Sequence, residues 1–359
     1  MMGLTWWQIL LGAVVGLLIL MVLVIIHELG HAILAKRNGV EVEEFGIGFP
    51  PRALVLGKVK GTLVTLNWLP LGGSCKMKGE SDDAKGKGTY GAASLWAKAK
   101  ILLAGVTWNF ITACVLFTIL AFWGIPKIAS NQFAIASDNH GEKGTVSIYS
   151  VVKDSPADKA GLRKGDELVS VAGTDVELSS EVPKLTKQHA DETVDIVINR
   201  DGQSQTVAAD IKSNDDGQGR LGITTEQKTS GTVKATWSAP IVGIVSALQF
   251  FWLTLCGLWD IVVSLFSGLI GLIISSPTAS SELAVASSGV SGPVGILGQI
   301  FPSAVFAGPL MLLYISGVIS ISLAVMNLLP IPGLDGGRLY LTLWYRARGK
   351  KLTKEREEQ

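Results

Sequence analysis

Apolar and polar positions fall in long blocks along this 359-residue chain. From Trp6 to Ala35 almost every residue is apolar, and no charge interrupts the run before His27. A cleaved leader would need a basic start and a shorter core, so the run predicts a transmembrane helix. At 1.5 Å per residue, the path from Trp7 to His27 covers about 30 Å, one hydrocarbon thickness. Residues 45 to 79 change period. Ala53-Leu54-Val55-Leu56, a Gly-Lys turn and Thr62-Leu63-Val64-Thr65-Leu66 predict a β-hairpin closed off by Gly72-Gly73. Such a hairpin is either a plain structural element or an edge that holds an extended peptide by strand addition.

Ser81 to Thr89 reads as a polar linker, and Ile101 to Trp123 as a second span ended by Gly124, Pro126 and Lys127. Residues 128–235 are mixed in polarity and predict a soluble domain. From Trp237 to Ile274 the chain is apolar again with one charge, Asp260. Ser246, Gln249, Gly257, Asp260, Ser264, Gly271 and Ser275 recur near helical spacing there, giving a narrow polar stripe. A Ser/Gly-rich connector follows, and Gly308 to Leu329 is the last strong span. The expected divisions are 1–127 (membrane half with the hairpin), 128–235 (soluble), 236–290 (apolar helix and connector) and 291–359 (C-terminal membrane segment with a basic tail).

Composition sharpens this picture. With 48% hydrophobic and 17% charged residues and a mean hydropathy of +0.40, the chain reads as an integral membrane protein. A net charge of +1, with no basic stripe interleaved with aromatics, gives no support for nucleic acid as a partner. Cys75, Cys114 and Cys256 are too scattered for a disulfide framework and read as small apolar fillers. Lys36 to Lys100 carries eleven Lys and Arg against six Asp and Glu, which makes it cytoplasmic by the positive-inside rule. The basic tail after Arg346 belongs on the same side, and the more acidic 128–235 segment on the other.

The chemistry is concentrated in Val24-Ile25-Ile26-His27-Glu28-Leu29-Gly30-His31. Histidines four apart share one helical face, so both imidazoles can reach one metal ion. Glu28 lies beside that metal without being needed as a ligand, and can act as general base toward water. The bland reading is a pair of satisfied core histidines. Burying His, Glu and His together without a purpose would be costly in hydrocarbon, at roughly 3 kcal/mol for a charge at the bilayer centre. Two histidines leave zinc short of protein ligands. Asp335 lies at a span end of matching depth, after Pro330 and Pro332 break the helix and before Gly336-Gly337 allow a tight turn. It is the expected third ligand. Asn109, within the second span, is either near the site or an interhelical hydrogen-bonding group.

His-Glu-Leu-Gly-His in the first span, paired with Asn327-Leu328-Leu329-Pro330-Ile331-Pro332-Gly333-Leu334-Asp335-Gly336-Gly337 after a late one, resembles the site-2 protease family. Ser155-Pro156-Ala157-Asp158-Lys159-Ala160-Gly161-Leu162-Arg163-Lys164-Gly165-Asp166 resembles a PDZ domain. With Phe45-Gly46-Ile47-Gly48-Phe49, this points to the bacterial branch that cleaves anti-sigma factors. The resemblance implies a polytopic α-helical membrane protein with a membrane-associated β-hairpin and an inserted PDZ-like α+β domain, in the bacterial inner membrane. It implies Zn2+ held by His27, His31 and Asp335, Glu28 as general base, and Asn327 as a substrate-positioning residue. Leu221, Gly222 and Ile223 would form the peptide-binding loop, and Gly72-Gly73 and Lys76-Met77 the membrane-associated hairpin region. Substrates would be single-pass membrane proteins, embedded in the lipid bilayer and already cut by another protease. Members of this branch usually carry a further span after the aspartate motif, so a chain ending at Gln359 reads as a shortened relative or a fragment.

Three rival readings are a PDZ-containing membrane scaffold with an inert site, a water-facing zincin on a membrane anchor, and a metal transporter. An intact Glu28 argues against the first, Asp335 against the second, and mostly clean spans against the third. Parity adds a constraint. For Asp335 to reach the histidines from the last span, the 237–274 stretch is expected to cross the membrane zero times or twice. At that length, a helix lying in the outer interface or packed on the bundle fits best, with Ser280 on the outer face.

Overall fold

The computed structural model describes residues 4–82, 84–129, 131–213, 219–229, 231–273, 295–350 and 352. In chain order, α1 (Trp6–Arg37) leads to strands β1 (Val42–Val59) and β2 (Thr62–Met77), then α2 (Leu95–Trp123). Strands β3 (Ile125–Pro126), β4 (Thr145–Val151), β5 (Glu167–Val171), β6 (Thr174–Asp175), β7 (Thr193–Arg200) and β8 (Gln203–Asp210) follow, interrupted by helices α3 (Pro156–Lys159) and α4 (Val182–Gln188). Strands β9 (Lys212–Ser213), β10 (Gly219–Arg220), β11 (Ile223–Thr229) and β12 (Thr232–Val233) precede α5 (Ala239–Ile273). A π-helical turn at Ile296–Ile300 runs into α6 (Phe301–Ala307), which is followed by α7 (Pro309–Leu328) and α8 (Asp335–Ala347).

Four helices among the described residues are long and apolar enough to cross a membrane: Trp6–Arg37, Leu95–Trp123, Ala239–Ile270 and Pro309–Leu328. The chain divides into two compact units, one made of residues 1–117 with 244–359, the other of residues 118–243.

In the first unit, α1 and α7 run in the same direction. Trp7 meets Phe306, just before α7, with ring centroids 5.8 Å apart, while the far ends of both helices bring His27 and Asp335 together. Glycine makes the intervening approach possible. A Cβ on Gly12 would lie 2.3 Å from Pro302, and one on Gly16 would lie 2.4 Å from Phe301. The short apolar segment Ile296–Ala307 therefore climbs antiparallel along α1, from the level of Gly16 toward Trp7. Phe117, Phe250 and Tyr314 fill the centre of this unit, where α2, α5 and α7 meet.

This return leg corrects the parity argument. Hydropathy overlooked Ile296–Ala307 because its dozen residues are too few for a span. Once it carries the chain back toward the Trp7 end, α7 can run inward to Asp335 even if α5 crosses once. Within the 237–274 stretch, Ala239–Ile273 is one unbroken helix of 35 residues, about 52 Å long, so two crossings within it are excluded. Of its polar stripe, Ser246 is fully buried and Asp260 is exposed. Ser280 and most of the Ser/Gly connector lie outside the described residues.

The hairpin is longer than its sequence signal. Gly48 (φ +87) and Pro50-Pro51 bend β1, so that Glu44–Ile47 lies between Gly73–Lys76 on one side and Leu63–Leu66 on the other. Val55–Val59 closes back on Thr62–Thr65 through a turn at Lys60 and Gly61, both at positive φ. Gly73–Met77 thus forms an outer edge of the sheet.

The second unit is built on a sheet of order β11-β4-β5-β7-β8, with β6 added on β5. Val146, Ile148, Leu168, Ile196 and Ile198 alternate into its core, as the period-2 pattern requires. Ser155 caps α3 by accepting from the Asp158 amide, and Gly161 (φ +79) ends that turn. Arg200 grips Asp166 with two bonds of 2.7 and 2.6 Å, fixing the turn before β5.

Candidate active site

On α1, His27 and His31 project from one face and are 7% and 5% exposed. Asp335 reaches them as the first residue of α8. The chain leaves α7 through a tight turn in which Ile331 bonds back to Leu329 and Gly333 takes φ +88. A Cβ on Gly336 would lie 2.4 Å from the Leu329 carbonyl oxygen, and one on Gly337 2.1 Å from that of Ile331. Only glycine lets the first turn of α8 press so closely on the Pro330–Pro332 turn. That contact sets the direction of the Asp335 carboxylate.

Three atoms converge. Asp335 Oδ2 lies 2.9 Å from His27 Nε2 and 3.1 Å from His31 Nε2, and the two Nε2 atoms are 3.2 Å apart. The tautomer of His31 is fixed by its other nitrogen, which lies 2.7 Å from the Ile101 carbonyl oxygen. A carbonyl can only accept, so Nδ1 carries the hydrogen and Nε2 presents a lone pair. Lone pairs crowded this closely repel unless a cation or a proton lies between them. Tetrahedral zinc with bonds of about 2.0 Å sets its ligands about 3.3 Å apart, close to the spacing seen. The donor set and geometry fit the metal. This is the group of metal-ligating side chains found among the described residues.

Room for the two imidazoles comes from α2. A Cβ on Gly105 would fall 2.4 Å from His27 Cε1 and 2.5 Å from Nε2 of both histidines. A Cβ on Gly30 would fall 2.8 Å from the Ala104 carbonyl oxygen, so the two helices touch backbone to backbone here. Asn109, one turn beyond Gly105 and fully buried, places its Nδ2 3.3 Å from His27 Nδ1. Nothing in the sequence singles out Gly105, because what it contributes is the side chain it lacks.

Glu28 is no member of the trio but stands within electrostatic reach of all three. Its carboxylate accepts a hydrogen bond from the Cys75 backbone, and its Cγ is 3.0 Å from where a Gly73 Cβ would lie. The edge segment Gly73–Met77 therefore passes directly beside it. Burial pushes the Cys75 thiol up to about 12, with Glu28 and Glu80 adding to the rise. That thiol is not a nucleophile at neutral pH.

The remaining expected residues lie elsewhere. Asn327, in the last turn of α7, donates to the Leu323 carbonyl of its own helix at 2.9 Å. Leu221 is buried in the second unit's core, and its carbonyl accepts from Ala157. Gly222, at φ +83, offers its carbonyl to Val152, and Ile223 begins β11 opposite Val151. Both loop carbonyls are thus occupied within the domain.

The model of peptidase family M50 matches residues 15–359. Three curated relatives bearing the name "putative zinc metalloprotease" each cover 91% of this chain. The protein from Clostridium perfringens is 29% identical over 328 residues, covering 86% of its own length. One from Campylobacter jejuni is 29% identical over 332 residues, covering 82% of its length. One from Helicobacter pylori is 29% identical over 342 residues, covering 86% of its length. A solved PDZ domain of the SdrC-like protein from Listeria monocytogenes is 23% identical, with a TM-score of 0.21. It spans 22% of this chain and 85% of that one, a likeness too slight to bear on the fold.

Proposed function

The chain belongs to peptidase family M50, and from that premise we propose that it is an intramembrane zinc endopeptidase. Its substrates are single-pass membrane proteins, such as anti-sigma factors or signal-peptide remnants, cut in or near their transmembrane segments. The observation that carries the proposal is the convergence of His27, His31 and Asp335 within 3.2 Å, with Glu28 beside them at the end of a membrane-length helix.

Bound zinc would supply Lewis acidity, polarising the scissile carbonyl and making water easier to deprotonate. His27 and His31 from α1 and Asp335 from α8 hold that ion. Glu28, steadied by the Cys75 backbone bond, takes the proton from the attacking water and can return it to the leaving amine. A substrate helix hides its carbonyls in internal hydrogen bonds and must open locally to be cut. The outer edge of Gly73–Met77, next to Glu28, supports pairing with such an opened strand. Asn327 at the end of α7 is the proposed substrate-positioning residue. It would act by exchanging its bond to Leu323 for one to the substrate.

We assign the 128–235 unit the role of a PDZ-like domain, with Leu221-Gly222-Ile223 as its peptide loop, admitting substrates already trimmed by another protease. The protein sits in the bacterial inner membrane with the metal site toward the cytoplasm, consistent with the basic charge between Lys36 and Lys100.

Purified wild type and Glu28→Gln are compared for zinc content and for cleavage of a model membrane substrate. Glu28→Gln retains zinc and loses cleavage by at least ~100-fold, the range expected of a general base. Near wild-type cleavage by Glu28→Gln would sink the mechanism. Equal inactivity of both proteins, each with full zinc, would favour the inert-scaffold reading.

A further inference from the structure

The two metal-binding histidines are held by the same face of α2. Ile101, Gly105 and Asn109 are spaced four apart, so their positions stack along one side of that helix. The Ile101 carbonyl fixes His31 and the absent side chain of Gly105 leaves space over both Nε2 atoms. Asn109 stands against the Nδ1 of His27. The first two arrangements suit an ion. The third does so only in one of the amide's two orientations.

For His27 to offer Nε2 to a metal as a neutral ligand, its ring hydrogen must sit on Nδ1. Nδ1 lies 3.3 Å from Asn109 Nδ2, an NH2 group that can only donate, while Asn109 Oδ1 is buried with no hydrogen-bond partner. In this orientation the amide suits a metal-free His27 whose Nε2–H donates to Asp335 at 2.9 Å. In the metal-binding tautomer, donor would face donor and an acceptor would stay unused. The two ends of a primary amide are nearly isosteric. Turning the group about Cβ–Cγ places Oδ1 on the Nδ1–H, removes the clash and makes a hydrogen bond.

Resting on the zinc reading above, we propose that Asn109 is the positioning residue for His27, its side-chain oxygen accepting the Nδ1 hydrogen whenever Nε2 binds metal. The role matches that of Ile101 for His31, with one difference. A backbone carbonyl is a fixed acceptor, whereas an amide can follow the tautomer in both directions. Asn109 is also well anchored, because Ser320 on α7 donates its hydroxyl to the Asn109 carbonyl at 2.8 Å. The helix carrying the histidines, the helix roofing the site and the helix leading to Asp335 thus meet at one residue.

The test uses full-length protein in detergent, with zinc affinity measured by competition against a chelator and folding followed by thermal unfolding without metal. Asn109→Leu, which neither donates nor accepts, lowers zinc affinity by ~10- to 100-fold, the usual loss for an outer partner of a ligating histidine. Asn109→Asp carries oxygen at both ends and retains affinity within about threefold of wild type, or exceeds it, in line with carboxylate–histidine–zinc arrangements. Loss of affinity in Asn109→Asp as large as in Asn109→Leu would show that the NH2 end matters, and would overturn the proposal. So would wild-type affinity in Asn109→Leu. If Asn109→Leu fails to fold, Asn109→Asp decides alone, since a carboxylate can serve only the accepting role. A wild-type protein that binds no zinc would overturn the metal reading itself, and this inference with it.

Discussion

Two buried polar clusters in the membrane unit make an instructive pair. Both include α8, one through Asp335 at its start and the other through Arg346 near its end. In the second, Asp82 accepts from Lys98 Nζ, from Arg346 Nη2 at 3.1 Å and from the Leu352 amide at 3.2 Å. Lys98 is fully buried, donates to the Gly91 carbonyl as well, and lies over the Tyr90 ring. Arg338 covers the same ring and donates to the Glu80 carbonyl. Here the chain supplies both signs of charge. At the His27–His31–Asp335 cluster it supplies metal-ligating atoms and no Lys or Arg, around a space kept clear by Gly105. A cluster that closes on its own cations holds a structure together. One built of ligand atoms without a cation of its own is completed from outside.

The difference can be broken most forcefully at the two aspartates. Asp335→Ala should lower zinc affinity by more than the roughly 100-fold typical of losing an outer partner, because a direct ligand is gone, and cleavage should disappear. Without metal the same variant should lose less stability than Asp82→Ala, since it gives up the His27–Asp335 hydrogen bond but strands no buried charge. Asp82→Ala should do the reverse. It strands the Lys98 ammonium in a dry site and costs about 3–5 kcal/mol, with or without zinc. The pair is read by unfolding midpoints and chelator titrations on all three proteins. If Asp335→Ala destabilised the metal-free protein as much as Asp82→Ala, the clusters would not differ in kind.

A finer test fills the space. Gly105→Ala places a methyl group 2.4–2.5 Å from both imidazoles. The helices must part by some tenths of an ångström, costing ~1–3 kcal/mol as overpacking does. Zinc affinity should fall by at least ~10-fold, a loss of the size that displaced ligand orientation produces. Normal zinc binding by a folded Gly105→Ala protein would show that the ion does not use the space under α2.

These contrasts also explain what could be read from the sequence. The histidine motif is local, since a four-residue spacing on a helix fixes both side chains without any tertiary information. Asp335 was legible because two prolines and two glycines mark a forced turn at a span end. Asn109 was visible as a polar residue in a span. Its role was not, because that depends on which face of α2 turns toward α1, and an apolar helix carries no phase signal for that. Gly105 is silent for the same reason, as its function is the side chain it lacks. The Asp82 cluster joins a loop, the start of α2 and α8, so its members are far apart in sequence and share no motif. Ile296–Ala307 escaped because it packs along α1 by shape, through Gly12 and Gly16, at a length hydropathy does not register.

The smallest expected effect concerns acid. Burial alone would raise the Asp82 carboxyl, but the hydrogen bond and charge of Lys98, with those of Arg346, outweigh it and hold the group below the ordinary carboxylate range. In the unfolded chain the same carboxyl titrates near 3.9, as model peptides do. Between that value and the lower folded one, the unfolded state binds the proton more readily. The stabilisation is therefore fully present above about pH 4 and drains away as pH falls below it. Asp82→Asn should be less stable than wild type at neutral pH and lose less further stability below pH 4, so the two curves converge in acid. Both curves fall further in acid for a reason they share. Asp138 and Asp166 are also held low, through Ser238 and Thr236 in one case and Arg200 in the other, and they lose their share in the same range. Zinc-free protein in detergent, scanned by thermal unfolding from pH 7 to pH 3, isolates the Asp82 share as the difference between the two curves. Parallel curves would mean that Asp82 is no longer a charged partner of Lys98 at neutral pH, and the closed cluster would lose its basis.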